Sequence, residues 1–173
     1  EHTWSYASRP RRHEEGTLYL RRPLKMSWEY TNPPGKLLVG DGEVLHMYNP
    51  RTNQVRRLNV RETGDLRTPL AFLLGRLRFR KLFRNLRIEY NDEEAILVGE
   101  GRSGSEAYRR VEFTYDPGDF RLLQLRVVGQ DESINSFRFE GERINVPLDP
   151  GRFRFEPPPT AEVINDFRDR EAR

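Results

Sequence analysis

Residues Gly16–Pro50 read GTLYLRRPLKMSWEYTNPPGKLLVGDGEVLHMYNP, and the alternation within them decides the fold. Strand side chains point to opposite faces with a period of two, so Leu18 and Leu20 share one face of a first strand, and Arg22 continues their apolar row. Pro23 bends the chain. The next strand then sets Leu24, Met26, Trp28 and Tyr30 on one face against Lys25, Ser27 and Glu29 on the other, the pattern of a half-buried strand. After the turn signal Asn32-Pro33-Pro34-Gly35, the run Leu37-Leu38-Val39 reaches Asp41-Gly42, a favoured pair for a two-residue hairpin turn, and Val44 to Tyr48 returns beside it. These elements predict an antiparallel meander.

Working outward, residues 1–9 read as a strand and Pro10 to Glu15 as a polar turn. Beyond the hairpin, Arg51-Thr52-Asn53 is a turn, Gln54 to Val60 a further strand and 61–67 a polar loop. Thr68 is an N-cap and Pro69 sits at the first helical position, so a helix is predicted over 68–77. Its Leu70, Phe72, Leu73, Leu74 and Leu77 cover more than half the circumference, so it must be sandwiched, or face both a sheet and a ligand. Strands follow over 86–90, 95–99, 108–115, 120–128 and 134–143, with turns at Asn91-Asp92, Gly101 to Gly104 and Asp116 to Asp119. Phe153-Arg154-Phe155 reads as a last strand, and 162–173 as a charged tail, helical or frayed. The sum is a mainly β (α+β) chain of about ten antiparallel strands forming a single domain over 1–173, one sheet curled on itself.

With 35% hydrophobic and 33% charged residues, the apolar side chains must lie on one face of each element. No run approaches the roughly 18 apolar residues of a membrane span. The absence of cysteine removes disulfides, thiolate metal sites and cysteine nucleophiles. The pI of about 9.4 raises nucleic-acid binding, but the net charge is only +3 and acids are interleaved with the arginines, as in Arg87-Ile88-Glu89 and Arg138-Phe139-Glu140. That mixture suits a solvated sheet face and gives no nucleic-acid partner. The densest basic patch, Arg76, Arg78, Arg80, Lys81 and Arg84, is read as facing an acidic protein or anionic headgroups.

Gly99-Glu100-Gly101-Arg102-Ser103-Gly104 matches a dinucleotide fingerprint, but that motif works only where a helix follows, and Tyr108 to Tyr115 alternates as a strand. His2, His13 and His46 lack paired spacing, so no metal site is predicted, and no cofactor. The serines lack a nucleophile-elbow context, and no catalytic residue can be named. The chain reads as a non-enzyme.

The Gly16–Pro50 stretch also resembles the periplasmic lipoprotein carrier family of the LolA type. Gly16-Thr17-Leu18-Tyr19-Leu20-Arg21-Arg22-Pro23, then Met26 and Trp28, then Val39-Gly40-Asp41-Gly42-Glu43-Val44-Leu45-His46-Met47-Tyr48-Asn49-Pro50 stand where that family has its signature elements; Gly40 stands where the family often has Ser. Thr68-Pro69-Leu70, and Phe153-Arg154-Phe155 leading to Pro157-Pro158 and Val163-Ile164, extend the match. The family's amphipathic helix before the first strand is not visible here. The resemblance implies a half-open, strongly curved antiparallel β-barrel whose concave apolar face, under a short helical lid, takes up acyl chains. The residues then expected at the cavity are Leu18, Leu20, Met26, Trp28, Leu38, Leu45, Met47, Leu70, Leu73 and Leu74. Arg22 would be a latch that bonds the lid helix and holds the empty pocket closed. The implied function is a monomeric periplasmic carrier that takes acylated lipoproteins from an inner-membrane ABC transporter to an outer-membrane acceptor lipoprotein. The alternative is a non-transport lipid- or protein-binding module of the same fold, a sensor or accessory domain.

Overall fold

The computed structural model of the chain describes residues 1–6, 9–59, 79–90, 93–102 and 108–165. The predicted helix over 68–77, with Leu70, Leu73 and Leu74, lies outside them. Within them the chain is mainly β, with twelve strands where about ten were expected. They fall into two compact units.

The first unit comprises residues 1–14 and 79–146. Its strands are β1 (His2–Tyr6), the first half of β2 (Arg9–Arg21), β7 (Phe83–Tyr90), β8 (Ala95–Gly101), β9 (Tyr108–Tyr115), β10 (Leu122–Gly129) and β11 (Ile134–Arg138). They are hydrogen-bonded in the order β2-β1-β11-β10-β9-β8-β7, every neighbour antiparallel. Register sets Leu97, Phe113, Leu125 and Phe137 side by side on one face. Phe113, Leu125 and Phe137 are buried there, beneath Phe83 and beside Phe79, whose ring lies 5.2 Å from that of Phe113, edge on. The other face carries charge: Arg126 sits opposite Glu112 and bonds it at 3.1 Å. Phe79 opens α1 (Phe79–Leu82), a single turn before β7.

The second unit comprises residues 15–59 and 147–165. Its order is β12-β6-β5-β4-β3-β2, built from the second half of β2, β3 (Lys25–Asn32), β4 (Leu37–Gly40), β5 (Val44–Asn49), β6 (Gln54–Asn59) and β12 (Glu162–Asn165). Neither ladder returns to its start among the described residues. Each keeps an open edge, β7 in one unit and β12 in the other.

Four local expectations are corrected. Pro10 to Glu15 is not a turn, because β2 begins at Arg9 and its polar residues pair with β1, Trp4 opposite Arg12 and Thr3 opposite His13. The last backbone bond of the β4–β5 hairpin is Asp41 N–H to Val44 O at 3.2 Å, so the central pair is Gly42-Glu43, one residue later than expected. The Asp41 carboxylate accepts the Glu43 and Val44 amides at 2.8 Å each, which fixes that register, and Gly42 supplies the positive φ of 108°. Phe153-Arg154-Phe155 is not a strand: Pro150–Phe153 forms a 3-10 helix capped by the Asp149 carboxylate, which accepts Gly151 N–H at 2.9 Å. Finally, Glu162–Asn165 is a strand parallel to β6, not a helix.

Candidate functional site

In the second unit the expected face assembles from β2, β3, β4 and β5. Register places Leu18, Trp28, Leu38 and Met47 in one row across the four strands, and Leu20, Met26, Gly40 and Leu45 in the next. Seven of the ten expected cavity residues therefore share a single face. Two glycines in this stretch are needed for close approach. A Cβ on Gly16 would collide with the Glu29 carbonyl oxygen where β2 shifts register against β3, and Gly40 leaves room between Leu45 and Met26.

Met26, Trp28, Leu38 and Leu45 are buried, Leu18 and Met47 half-buried, and Leu20 is 45% exposed. Tyr30 extends the row and stacks on Trp28 with ring centroids 4.9 Å apart. Leu58, opposite Leu45, carries it onto β6. The face is thus apolar, large-residued and closed over its centre. Arg22 is placed differently from expectation. β2 ends at Arg21, and Arg22 opens the turn before β3 with its side chain exposed. It does not continue the apolar row, so no burial cost obliges it to find an acceptor in this conformation.

The opposite face of the same strands is covered by the segment after residue 147, whose local contacts the linear sequence does not reveal. Phe153 is 1% exposed, and the Phe155 ring lies 5.4 Å from His46 and 6.0 Å from Tyr48. Arg152 pairs with Glu29 and lies over the Tyr19 ring, 4.0 Å from its centroid. The segment then runs to β12, held by the Asn53 amide on Thr160 O at 2.8 Å and by Gln54 on the Glu162 carboxylate at 2.7 Å. Only the Phe-Arg-Phe triplet signalled any of this in the sequence.

Electrostatics on this unit concentrate at the hairpin. Burial raises the Asp41 carboxyl, but the Val44 and Glu43 amides outweigh it and hold the group below its ordinary range. Burial, with Arg57 nearby, pushes the His46 imidazole down.

The first unit holds a cleft of about 260 Å³ lined by Thr3, Ser5, Gln124, Arg126, Ile134 and Ser136. Gln124 donates to the Ser136 hydroxyl at 2.6 Å, and Arg126 is tied to Glu112 at 3.1 Å. Ile134 is the one aliphatic side chain in its lining. Of the glycines in the Gly99 to Gly104 stretch, Gly99 and Gly101 lie within β8, Gly104 lies outside the described residues, and the next described element is the strand β9.

These observations define a class, an antiparallel sheet protein that shields a continuous apolar face. The family described as "Outer membrane lipoprotein carrier protein LolA" matches residues 5–156, and the chain belongs to that family. It is 30% identical over 154 residues to an outer-membrane lipoprotein carrier protein of Dechloromonas aromatica (strain RCB), covering 87% of this chain and 71% of that one. With the carrier protein of that name from Chromohalobacter salexigens it shares 29% identity over 156 residues, 88% and 71% of the two chains. The fold resembles that of an uncharacterized conserved protein from Thermus thermophilus, with a TM-score of 0.50 at 15% identity over 88% of this chain and 83% of that one.

Proposed function

We propose that this chain is a periplasmic carrier that buries the acyl chains of lipoproteins against the apolar face of β2 to β5 and shuttles them from the inner to the outer membrane. One observation carries the reading: strand register sets Leu18, Trp28, Leu38 and Met47 beside Leu20, Met26 and Leu45 as an unbroken apolar surface. Each buried methylene contributes about 0.8 kcal/mol, so such a surface holds long chains without any polar anchor. The names of the relatives support a lipoprotein cargo. An inner-membrane ABC transporter would load the carrier and an outer-membrane acceptor lipoprotein would unload it, direction following from differences in affinity. The helix predicted over 68–77, with Leu70, Leu73 and Leu74, would be the lid, and Arg22 the latch that engages it.

A second reading has an observation of its own. Met26, Trp28, Leu38 and Leu45 are 0–3% exposed, as in a filled core, and a non-transport lipid- or protein-binding module would show the same burial. The test is displacement of a fluorescent fatty acid by a synthetic triacylated lipopeptide. The carrier reading predicts saturable binding, displacement by the acylated but not the unacylated peptide, and loss of binding with an unchanged fold in Leu73→Glu. Failure of the lipopeptide to displace the probe would exclude it.

A further inference from the structure

We propose that the β7 edge is a docking site for an extended acidic segment of a partner protein, which joins the first unit as an additional strand. Three observations converge on it.

The first is an unused edge. β7 bonds β8 on one side, and among the described residues no strand bonds the other. From Arg84 to Tyr90 every side chain except that of Leu86 is exposed, so the strand is open on both faces as well as along its edge. Edge strands with free donors and acceptors are templates for strand addition, and proteins blunt them with bulges and charges. Here the bulge is confined to the start, and the charges further along the strand, Arg87 and Glu89, pair with each other at 2.8 Å. Asn85, at φ 50°, and the shift between Arg84 and Arg87 form a bulge, after which Arg87 to Tyr90 pair regularly with Val98 to Ala95.

The second is charge. Arg80 and Lys81 on α1 are exposed and make no ion pair among the described residues. Arg84 is 59% exposed, and its one acidic partner among the described residues, Glu100, lies 3.8 Å away and is shared with Arg87 at 3.6 Å. Arg102, at the end of β8, donates to the Arg80 carbonyl at 2.7 Å, which fastens α1 beside the edge and adds a fifth cation. The start of the edge is therefore basic.

The third is apolar exposure at the other end. Ile88 and Tyr90 share a face and are 54% and 73% exposed. Ile88 continues outward the row that runs through Leu97 to Phe113, and Tyr90 the neighbouring row through Ala95 to Tyr115, so a bound strand with alternating apolar side chains would extend an existing core face. An anionic bilayer would meet the cations but has no use for the backbone groups of the edge, whereas an extended peptide uses all three features. This inference stands independently of the carrier reading, since it concerns a peptide and a different face.

The experiment uses the full chain and a labelled ten-residue peptide with four acidic residues followed by alternating valine and threonine. Fluorescence anisotropy is measured at low and high salt, with amide hydrogen exchange on the complex. The expected result is saturable binding that weakens with salt. It should also weaken about tenfold or more, some 1.4 kcal/mol, in Arg80→Glu/Lys81→Glu and in Ile88→Lys, while exchange slows at Arg87 to Tyr90. A peptide of the same composition in scrambled order should bind less well. Absence of peptide binding, binding that leaves the β7 amides unprotected, or binding only to phosphatidylglycerol vesicles would each overturn the proposal.

Discussion

The guanidinium of Arg152 lies 4.0 Å from the centroid of the Tyr19 ring, so a residue from the C-terminal segment stacks on a strand more than a hundred residues earlier in the chain. The same guanidinium pairs with Glu29, and both partners are partly exposed, at 31% and 42%. Exposure screens the pair, so Arg152→Ala should cost only about 1 kcal/mol. Phe153, at 1% exposed, is the deeper anchor, and Phe153→Ala should cost about 3–5 kcal/mol. Urea melts of the two variants check the ranking; equal losses would show that the segment is held by charge and not by burial.

A steric requirement set by an aromatic ring lies in the other unit. A Cβ on Gly99 would stand 2.5 Å from Cγ of Phe83. Gly99→Ala should therefore destabilise by about 1–3 kcal/mol, as overpacking does. The double variant Gly99→Ala/Phe83→Leu should recover part of that loss in a double-mutant cycle. Additive losses would mean the ring is not the obstacle.

How much was legible in the sequence follows from which interactions are local. The alternation of Met26, Trp28 and Tyr30 against Ser27 fixed the apolar face, because period two needs no partner to be read. The hairpin is legible to within one residue; its register is set by the Asp41 carboxylate capping two amides, whereas the Asp-Gly pattern alone marks Asp41 as a central turn residue. Arg12, His13 and Glu14 read as a turn because they are polar, yet pairing with β1 and the placement of Arg12 over the Trp4 ring, 5.6 Å from its centroid, make them strand. β12 was hidden for a similar reason: Val163 and Ile164 form a strand only against β6, over a hundred residues away. At the candidate site, the cross-strand rows were implied by alternation, but the exposure of Arg22 was not, since nothing in Leu18, Leu20, Arg22 marks where pairing stops.

Stability of the second unit should depend on pH through His46, whose ring is packed beside Phe155. Burial and Arg57 lower its pKa in the fold. The unfolded chain therefore takes up the proton first, and stability should fall as pH drops below the ordinary histidine value of about 6.5. Thermal melts from neutral pH downward should show that loss, and His46→Phe should flatten it. An unchanged slope in the variant would place the dependence elsewhere.

Arg22 and Arg21 offer a paired test of the latch. Under the proposed cycle, Arg22→Leu should remain folded and bind lipopeptide but release it to an acceptor several-fold more slowly, while Arg21→Leu behaves as the parent chain. Transfer assays between carrier and acceptor read this directly. Identical transfer rates for the two variants would remove the latch from the mechanism.

The central claim is that the apolar face of β2 to β5 holds acyl chains, and native mass spectrometry of the protein purified from its own host tests it most directly. The account predicts a population heavier than the protein alone by the mass of a triacylated lipoprotein, released when the complex is activated. A chain found only at its own mass, under conditions where a known carrier retains its cargo, would contradict it.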